Sequence, residues 1–130
     1  MVRTFIQTRE FSRNWDKLGF KDEDLRKLEL ELLENSDLHP VIKGTGGLRK
    51  IRIPFANEGK SGSARVCYVD FVVQEVIYLI TVYSKNEKEN LSQAERNGIK
   101  SLIEQLKLKL DYRKPLRMQK VKKKNFRAVS

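Results

Sequence analysis

Cationic and apolar side chains alternate along one short segment of this chain, Leu48–Phe55. Lys50 and Arg52 alternate with Ile51 and Ile53. Successive side chains of a β-strand lie on opposite faces, so the isoleucines would face the core and the two cations would face outward together. Fixed positive charges that share one sheet face are suited to binding phosphate oxygens. This segment is therefore the first candidate for chemistry.

A third cation, Arg65, directly precedes the apolar run Val66–Val69 of the next predicted strand. The chain has one histidine and one cysteine, and neither favours catalysis. We expect His39 to be a solvated or hydrogen-bonded loop residue, and a site with two histidines is excluded within one chain. Cys67 cannot form an intramolecular disulfide, and its apolar neighbours predict a buried, unreactive thiol.

Positive charge is unevenly distributed along the 130 residues, although the net charge is +10. Residues 113–130 contain 8 of the 27 basic residues and no acidic residue, so the rest of the chain is nearly neutral. Local clusters of charge, rather than the overall charge, must therefore support any argument for nucleic-acid binding. We expect one domain over residues 1–112, followed by a flexible basic tail over residues 113–130.

Neither a membrane span nor a secretory signal is visible. No stretch approaches the roughly 20 apolar residues that a spanning helix needs. The first residues lack the apolar core of a signal peptide, so we expect a cytoplasmic protein.

Hydrophobic periodicity predicts three helices and four strands. The predicted strands are Arg3–Thr8, Leu48–Phe55, Ala64–Val73 and Val76–Tyr83, with a loop at Ala56–Ser63 and a hairpin at Gln74-Glu75. The predicted helices are Glu10–Leu18, Asp22–Leu33 and a last one that begins at a capping box of Ser92 and Glu95 and ends at Pro115. This order predicts an α+β fold, a small antiparallel sheet of about four strands with helices packed on one face.

Three segments together resemble the RelE/ParE superfamily of bacterial toxins, most closely its HigB-type branch. They are VIKGTGGLRKIRI at Val41–Ile53, GSARVCYVDF at Gly62–Phe71 and IYLITVYSKNEKENLSQAE at Ile77–Glu95. The resemblance covers roughly residues 2–110 and includes the order of the elements, with two helices before the sheet and one after it.

The resemblance implies the toxin of a type II toxin–antitoxin pair that enters the ribosomal A site and cleaves mRNA there. It implies an antitoxin partner, expected to be HigA-like with a helix-turn-helix domain, through which alone the toxin would meet operator DNA. It implies that no metal or organic cofactor is required. We expect no membrane partner.

Metal-free RNA cleavage requires a base for the 2′-hydroxyl, positive charge for the phosphate and a proton for the leaving 5′-oxygen. We assign Arg52 and Arg65 to the phosphate, because arginine stays protonated and binds oxygens in a bidentate manner. Lys50 is the first candidate for the base, because neighbouring cations lower the pKa of a lysine. Lys85 is the second candidate for the base, or the proton donor.

Three further residues are candidates for substrate binding. Tyr83 is suited either to stacking on a base or to packing on the sheet, and Asn86 to hydrogen bonding with a base edge or the backbone. Arg49 alternates away from Lys50 and therefore ranks lower. In this sequence the aromatic residue precedes the lysine, whereas some relatives carry it several residues later, which leaves the roles of Tyr83 and Lys85 open.

Other interpretations of the same residues stay open. The cations could form an ordinary solvated strand face, and the protein could be a ParE-type gyrase inhibitor or a catalytically silent RNA-binding relative. The basic tail fits either contacts with ribosomal RNA or a disordered terminus.

Overall fold

The structure, a computed structural model, describes residues 2–55 and 62–122, with side chains described through Leu110 in the last helix. It contains four strands and three helices. In chain order they are β1 (Thr4–Gln7), α1 (Arg9–Lys17), α2 (Asp22–Asn35), β2 (Arg49–Pro54), β3 (Ser63–Phe71), β4 (Val76–Ser84) and α3 (Gln93–Lys122). The α+β class and the order of elements predicted from the sequence are thus confirmed.

The four strands form one sheet in the order β1-β4-β3-β2. β2 pairs with β3 and β3 pairs with β4, both in antiparallel fashion, as short connections allow. β1 joins the sheet beside β4, but it runs parallel to β4, with Thr4 opposite Val76. The sheet is therefore mixed, and only its three consecutive strands have the antiparallel pairing that the sequence predicts.

Helices cover both faces of the sheet. Helices α1 and α2 pack on one face, where Phe11 and Leu32 join the cluster around Val66. Helix α3 packs on the opposite face, where Ile103 joins the cluster around Cys67. The expectation that the helices share one face was wrong, because β3 and β4 are buried at nearly every position, so both of their faces are covered.

Local signals position the ends of the helices as expected. The Thr8 hydroxyl caps α1 by accepting a hydrogen bond from the Phe11 N–H at 3.0 Å. Gly19 follows α1 with φ of +86°, a conformation that glycine adopts without strain. The capping box of α3 is present, because Ser92 and Glu95 each bond the other's backbone N–H.

Pro115 lies inside α3, so the predicted end of the helix at this residue was wrong. A proline lacks the backbone N–H of one helical hydrogen bond, which is why an end of the helix was expected here. Residues 113–122 of the predicted tail belong to α3, and residues 123–130 lie outside the described residues. Most of the predicted loop also lies outside them, while its last residue, Ser63, is the first residue of β3.

Helix α3 has 30 residues, yet its composition is too polar for a bilayer. None of the helices in the described part of the chain is both long and apolar enough to cross a membrane.

Candidate active site

A row of residues crosses three strands on the sheet face that α3 packs against. Arg52 of β2 lies directly opposite Arg65 of β3, and Arg65 lies directly opposite Tyr83 of β4. Opposed residues of antiparallel strands project to the same face. Lys50, opposite Cys67, lies two positions along β2 and so has the same face as Arg52. The structure thus brings together three of the predicted catalytic cations.

One hydroxyl links the two guanidinium groups. The Ser63 Oγ accepts a hydrogen bond from the Arg65 Nη1 at 2.7 Å and another from the Arg52 Nε at 3.2 Å. Ser63 itself is buried, with 4 % of its surface exposed. Both guanidinium groups therefore converge on a single oxygen atom at the start of β3.

The guanidinium groups have no acidic partner among the described side chains, 2–55 and 62–110. Neither Arg52 nor Arg65 takes part in an ion pair there. A guanidinium has five N–H donors, so its bond to Ser63 leaves most of them available. Two adjacent cations with free donors are chemically suited to an anion with several oxygens, such as a phosphodiester.

The two predicted lysines border this pair of arginines in different ways. The Lys50 Nζ donates a hydrogen bond to the Asn90 Oδ1 at 3.4 Å on the exposed surface. Lys85 follows β4, and its backbone N–H donates to the Ser63 carbonyl at 3.0 Å, which places the residue beside the serine. Its side chain is exposed, as is that of Asn86, whose N–H donates to the Ser84 Oγ at 3.1 Å.

Tyr83 occupies the core rather than an open surface. Its exposure is 2 %, and its hydroxyl is buried without a hydrogen-bond partner in the described part of the chain. Burial, and next the nearby Cys67, raise the pKa of this hydroxyl to about 12, while Arg65 opposes the shift. Of the two roles predicted for Tyr83, packing in the sheet is the one that the structure shows. Stacking on a base would require the ring to leave its pocket.

A lysine that the sequence analysis did not select lies above this tyrosine. The Lys88 Nζ is 5.2 Å from the centre of the Tyr83 ring, within the range of a cation–π contact. It also pairs with the Glu95 Oε2 at 2.5 Å, and this bond is the first cause of the lowered pKa of Glu95. The segment between β4 and α3 is thereby tied to the site face.

The remaining candidate residues lie away from the arginine pair. The Arg49 Nη1 donates to the carbonyl oxygens of His39 and Asp37, at 2.6 and 3.2 Å, and so braces the connector after α2. The His39 Nε2 lies 3.1 Å from the Glu31 Oε2, so His39 is the hydrogen-bonded loop residue that the sequence predicts. Cys67 is fully buried, and burial raises the pKa of its thiol to about 12, so the thiolate form is disfavoured at neutral pH.

No metal site is evident among the described residues. Their histidine, cysteine, aspartate and glutamate side chains form no group of three or more arranged to hold a metal ion.

Ser63 and Lys88 were not among the residues predicted from the sequence. Ser63 precedes Arg65 by two positions, so strand alternation would have placed both on one face if the strand had been extended by one residue. Lys88 lies in the segment after β4, and its position above Tyr83 depends on the path of the chain there. The sequence of this segment has no hydrophobic periodicity from which that path could be predicted.

Comparison with known proteins gives a family match. The family model of the RelE toxin of the RelE / RelB toxin-antitoxin system matches residues 2–128. The match covers nearly the whole chain, including the segment after Tyr112 that the resemblance in the sequence left out.

Solved structures with a similar fold include a double arginine-to-alanine variant of the E. coli toxin RelE in the free state. Its sequence is 23 % identical to this chain, and its structure superimposes with a TM-score of 0.52. The match covers 68 % of this chain and 90 % of the RelE chain. The intact E. coli RelBE toxin–antitoxin complex also matches, at 21 % identity and a TM-score of 0.47, over 62 % of this chain and 94 % of the matched chain. The free toxin supports the fold assignment.

Proposed function

Because this chain belongs to the RelE toxin family of toxin–antitoxin systems, we propose that it is a ribosome-dependent mRNA endoribonuclease of the HigB-type branch. The single observation that carries this proposal is the pair of guanidinium groups of Arg52 and Arg65 on one sheet face, free of carboxylate partners among the described residues. Such a pair matches the charge and the geometry of one phosphodiester.

The proposed reaction is an attack of the 2′-oxygen on the adjacent phosphorus. The O2′–P bond forms and the P–O5′ bond breaks, which leaves a 2′,3′-cyclic phosphate and a 5′-hydroxyl. Arg52 and Arg65 bind the non-bridging oxygens and stabilise the extra negative charge of the transition state. Preorganised positive charge of this kind is usually the largest catalytic contribution.

The two lysines are proposed to handle the protons. Lys50 takes the proton of the 2′-hydroxyl, and Lys85 supplies one to the leaving 5′-oxygen. Their positions support this division, since Lys50 shares the face of the arginines and Lys85 lies on the other side of Ser63, directly after β4. The reaction as written needs no metal ion. The exposed Asn86 beside Lys85 is a proposed contact for the RNA backbone or a base edge.

We propose an antitoxin and the ribosome as partners of this chain. The family pairs RelE with RelB, and the sequence resemblance favours a HigA-like antitoxin with a helix-turn-helix domain. Access to mRNA in the A site would bring the basic residues of the chain close to ribosomal RNA, where positive charge favours binding through counterion release. Cytoplasmic location is part of the same proposal.

The test compares purified variants on ribosomes programmed with a defined mRNA, with the cut ends mapped by primer extension. We expect Arg65→Ala to slow cleavage by about 10²–10³-fold, the usual effect of losing one transition-state donor. Lys50→Ala combined with Arg52→Ala should abolish it. Arg26→Ala, which removes one exposed positive charge from α2, is the matched control and should cleave normally.

Three outcomes would overturn the proposal. Full cleavage by Arg65→Ala would show that the arginine pair is not the catalytic site. Absence of cleavage by the wild-type protein, together with DNA damage on its expression, would instead favour a gyrase inhibitor of the ParE type. Ribosome binding with intact mRNA would identify a catalytically silent RNA-binding relative.

A further inference from the structure

The chemistry of the Arg52–Arg65 pair raises a physical problem. Two guanidinium groups that face each other across neighbouring strands carry the same charge, and like charges directly opposite each other destabilise a sheet. Long arginine side chains can relieve the repulsion by turning away from each other into solvent. If both guanidinium groups are to bind the same phosphate, a third group that binds both of them is therefore needed to hold them together.

Ser63 is that group in this structure. Its Oγ accepts from the Arg65 Nη1 at 2.7 Å and from the Arg52 Nε at 3.2 Å, and both are charge-assisted hydrogen bonds. A hydroxyl has two acceptor positions, so the two guanidinium groups fill it. The oxygen is neutral and does not compete with a phosphate for the arginines, as a carboxylate would.

The position of the hydroxyl is fixed by the backbone around it. Ser63 is 4 % exposed and lies opposite Pro54 at the start of β3, and its carbonyl accepts the Lys85 N–H at 3.0 Å. Gly62 directly before it has φ of +101°, a conformation that residues with a Cβ rarely adopt. The serine thus connects β2, β3 and the residue after β4 at one point.

We propose that Ser63 is a positioning residue that holds Arg52 and Arg65 at the spacing needed to bind one phosphate in the transition state. This inference rests on the proposed ribonuclease function and goes beyond it, because Ser63 acts through the arginines. Since a misplacement of about 1 Å can cost about 10²-fold in rate, loss of the hydroxyl should lower kcat more than it changes KM.

The experiment compares Ser63→Ala with Ser63→Thr in ribosome-dependent cleavage of a defined mRNA. We expect Ser63→Ala to lower kcat by about 10- to 100-fold with KM nearly unchanged, and Ser63→Thr, which keeps the oxygen, to restore most of kcat. Ser12→Ala makes the same chemical change in α1 and should behave as wild type. Should Ser63→Ala fail to fold, Ser63→Cys replaces the oxygen with a weak acceptor of similar size and should show the same loss.

A second measurement separates positioning from a general loss of structure. In protein labelled with ¹⁵N-arginine, the Arg52 Nε–H resonance should move in Ser63→Ala and stay near its wild-type position in Ser63→Thr. A kcat of Ser63→Ala equal to wild type, or an Arg52 resonance that does not move, would overturn the role of Ser63 while leaving the ribonuclease function standing.

Failure of the proposed function itself gives a different pattern. If wild-type protein cuts no message, the test of Ser63 becomes its affinity for an RNA oligonucleotide with 2′-O-methyl groups, which cannot be cleaved by 2′-oxygen attack. Weaker binding by Ser63→Ala than by Ser63→Thr would support a role in positioning the arginines for phosphate. Equal binding by both variants would overturn it.

Discussion

Two arginine clusters in this sheet have opposite chemical designs. Arg3, directly before β1, pairs with Asp70 of β3 through a 2.8 Å contact from Nε to Oδ1, and each side chain is 8 % exposed. Asp70 also accepts the Ser36 hydroxyl at 2.7 Å. Arg52 and Arg65, in contrast, share the neutral Ser63 oxygen and have no carboxylate partner among the described side chains.

The difference indicates what each cluster is for. In the first cluster the Arg3 Nε and Nη2 each donate a hydrogen bond to one carboxylate oxygen of Asp70. The two buried charges therefore compensate each other. In the second cluster two positive charges lie together without a carboxylate partner in the described part of the chain, an arrangement that costs stability and is suited to binding an anion. A charge that is compensated within the chain supports the fold, whereas an uncompensated one is available to a ligand.

The largest effect should come from breaking the compensated cluster. Asp70→Ala leaves the Arg3 charge buried without its partner, so the free energy of unfolding should fall by about 3–5 kcal/mol. Urea denaturation followed by circular dichroism measures this value. Arg65→Ala, in the other cluster, should change the same quantity by less than about 1 kcal/mol, because it also removes a repulsion between like charges.

The contrast would fail if these two variants lost similar amounts of stability. The compensated pair would then contribute no more to the fold than the uncompensated one. Equal losses would also mean that slow cleavage by Arg65→Ala could reflect partial unfolding.

A smaller effect on stability is expected from removing the buried Tyr83 hydroxyl, which lies on the same sheet face as Arg52 and Arg65 and has no hydrogen-bond partner among the described residues. Tyr83→Phe removes an oxygen that has no partner among the described residues, so the free energy of unfolding should stay the same or rise by about 1 kcal/mol. Because the ring is buried and stays in place, cleavage should continue at the wild-type rate. A clear loss of activity would show that the hydroxyl contacts the substrate after a rearrangement.

The smallest effect concerns the ion pair of Lys88 and Glu95, which is compensated but partly exposed. The bond from Lys88, and next the backbone N–H of Ser92, lowers the pKa of Glu95 below its usual 4.5. Glu95 therefore stabilises the fold above its ordinary pKa, and the contribution is lost as the pH falls through the lowered value. Wild type should therefore have a higher free energy of unfolding than Glu95→Gln at pH 7, and this difference should disappear in acid.

Thermal unfolding of both proteins across this pH range checks the sign. A difference that grows in acid would contradict the prediction. Since both side chains are about a third exposed, the difference at pH 7 should stay well below that of Asp70→Ala.

Much of the fold followed from local patterns. Alternation along β2 placed Lys50 and Arg52 on one face and Arg49 on the other, and the Ser92 and Glu95 box began α3 where expected. Patterns that depend on distant partners were less informative. Neither the parallel pairing of β1 with β4 nor the cover of the second sheet face by α3 has a local signal, because both depend on where the helices carry the chain.

By itself, the sequence determined which residues could share a face, because side-chain alternation with period two is a property of any strand. Only the tertiary structure decided which of them meet. Strand pairing set Arg52 against Arg65, the start of β3 brought the Ser63 hydroxyl between them, and the packing of α3 enclosed Tyr83. Such contacts join residues that are distant along the chain, so they are fixed by the packing of whole elements rather than by any local pattern.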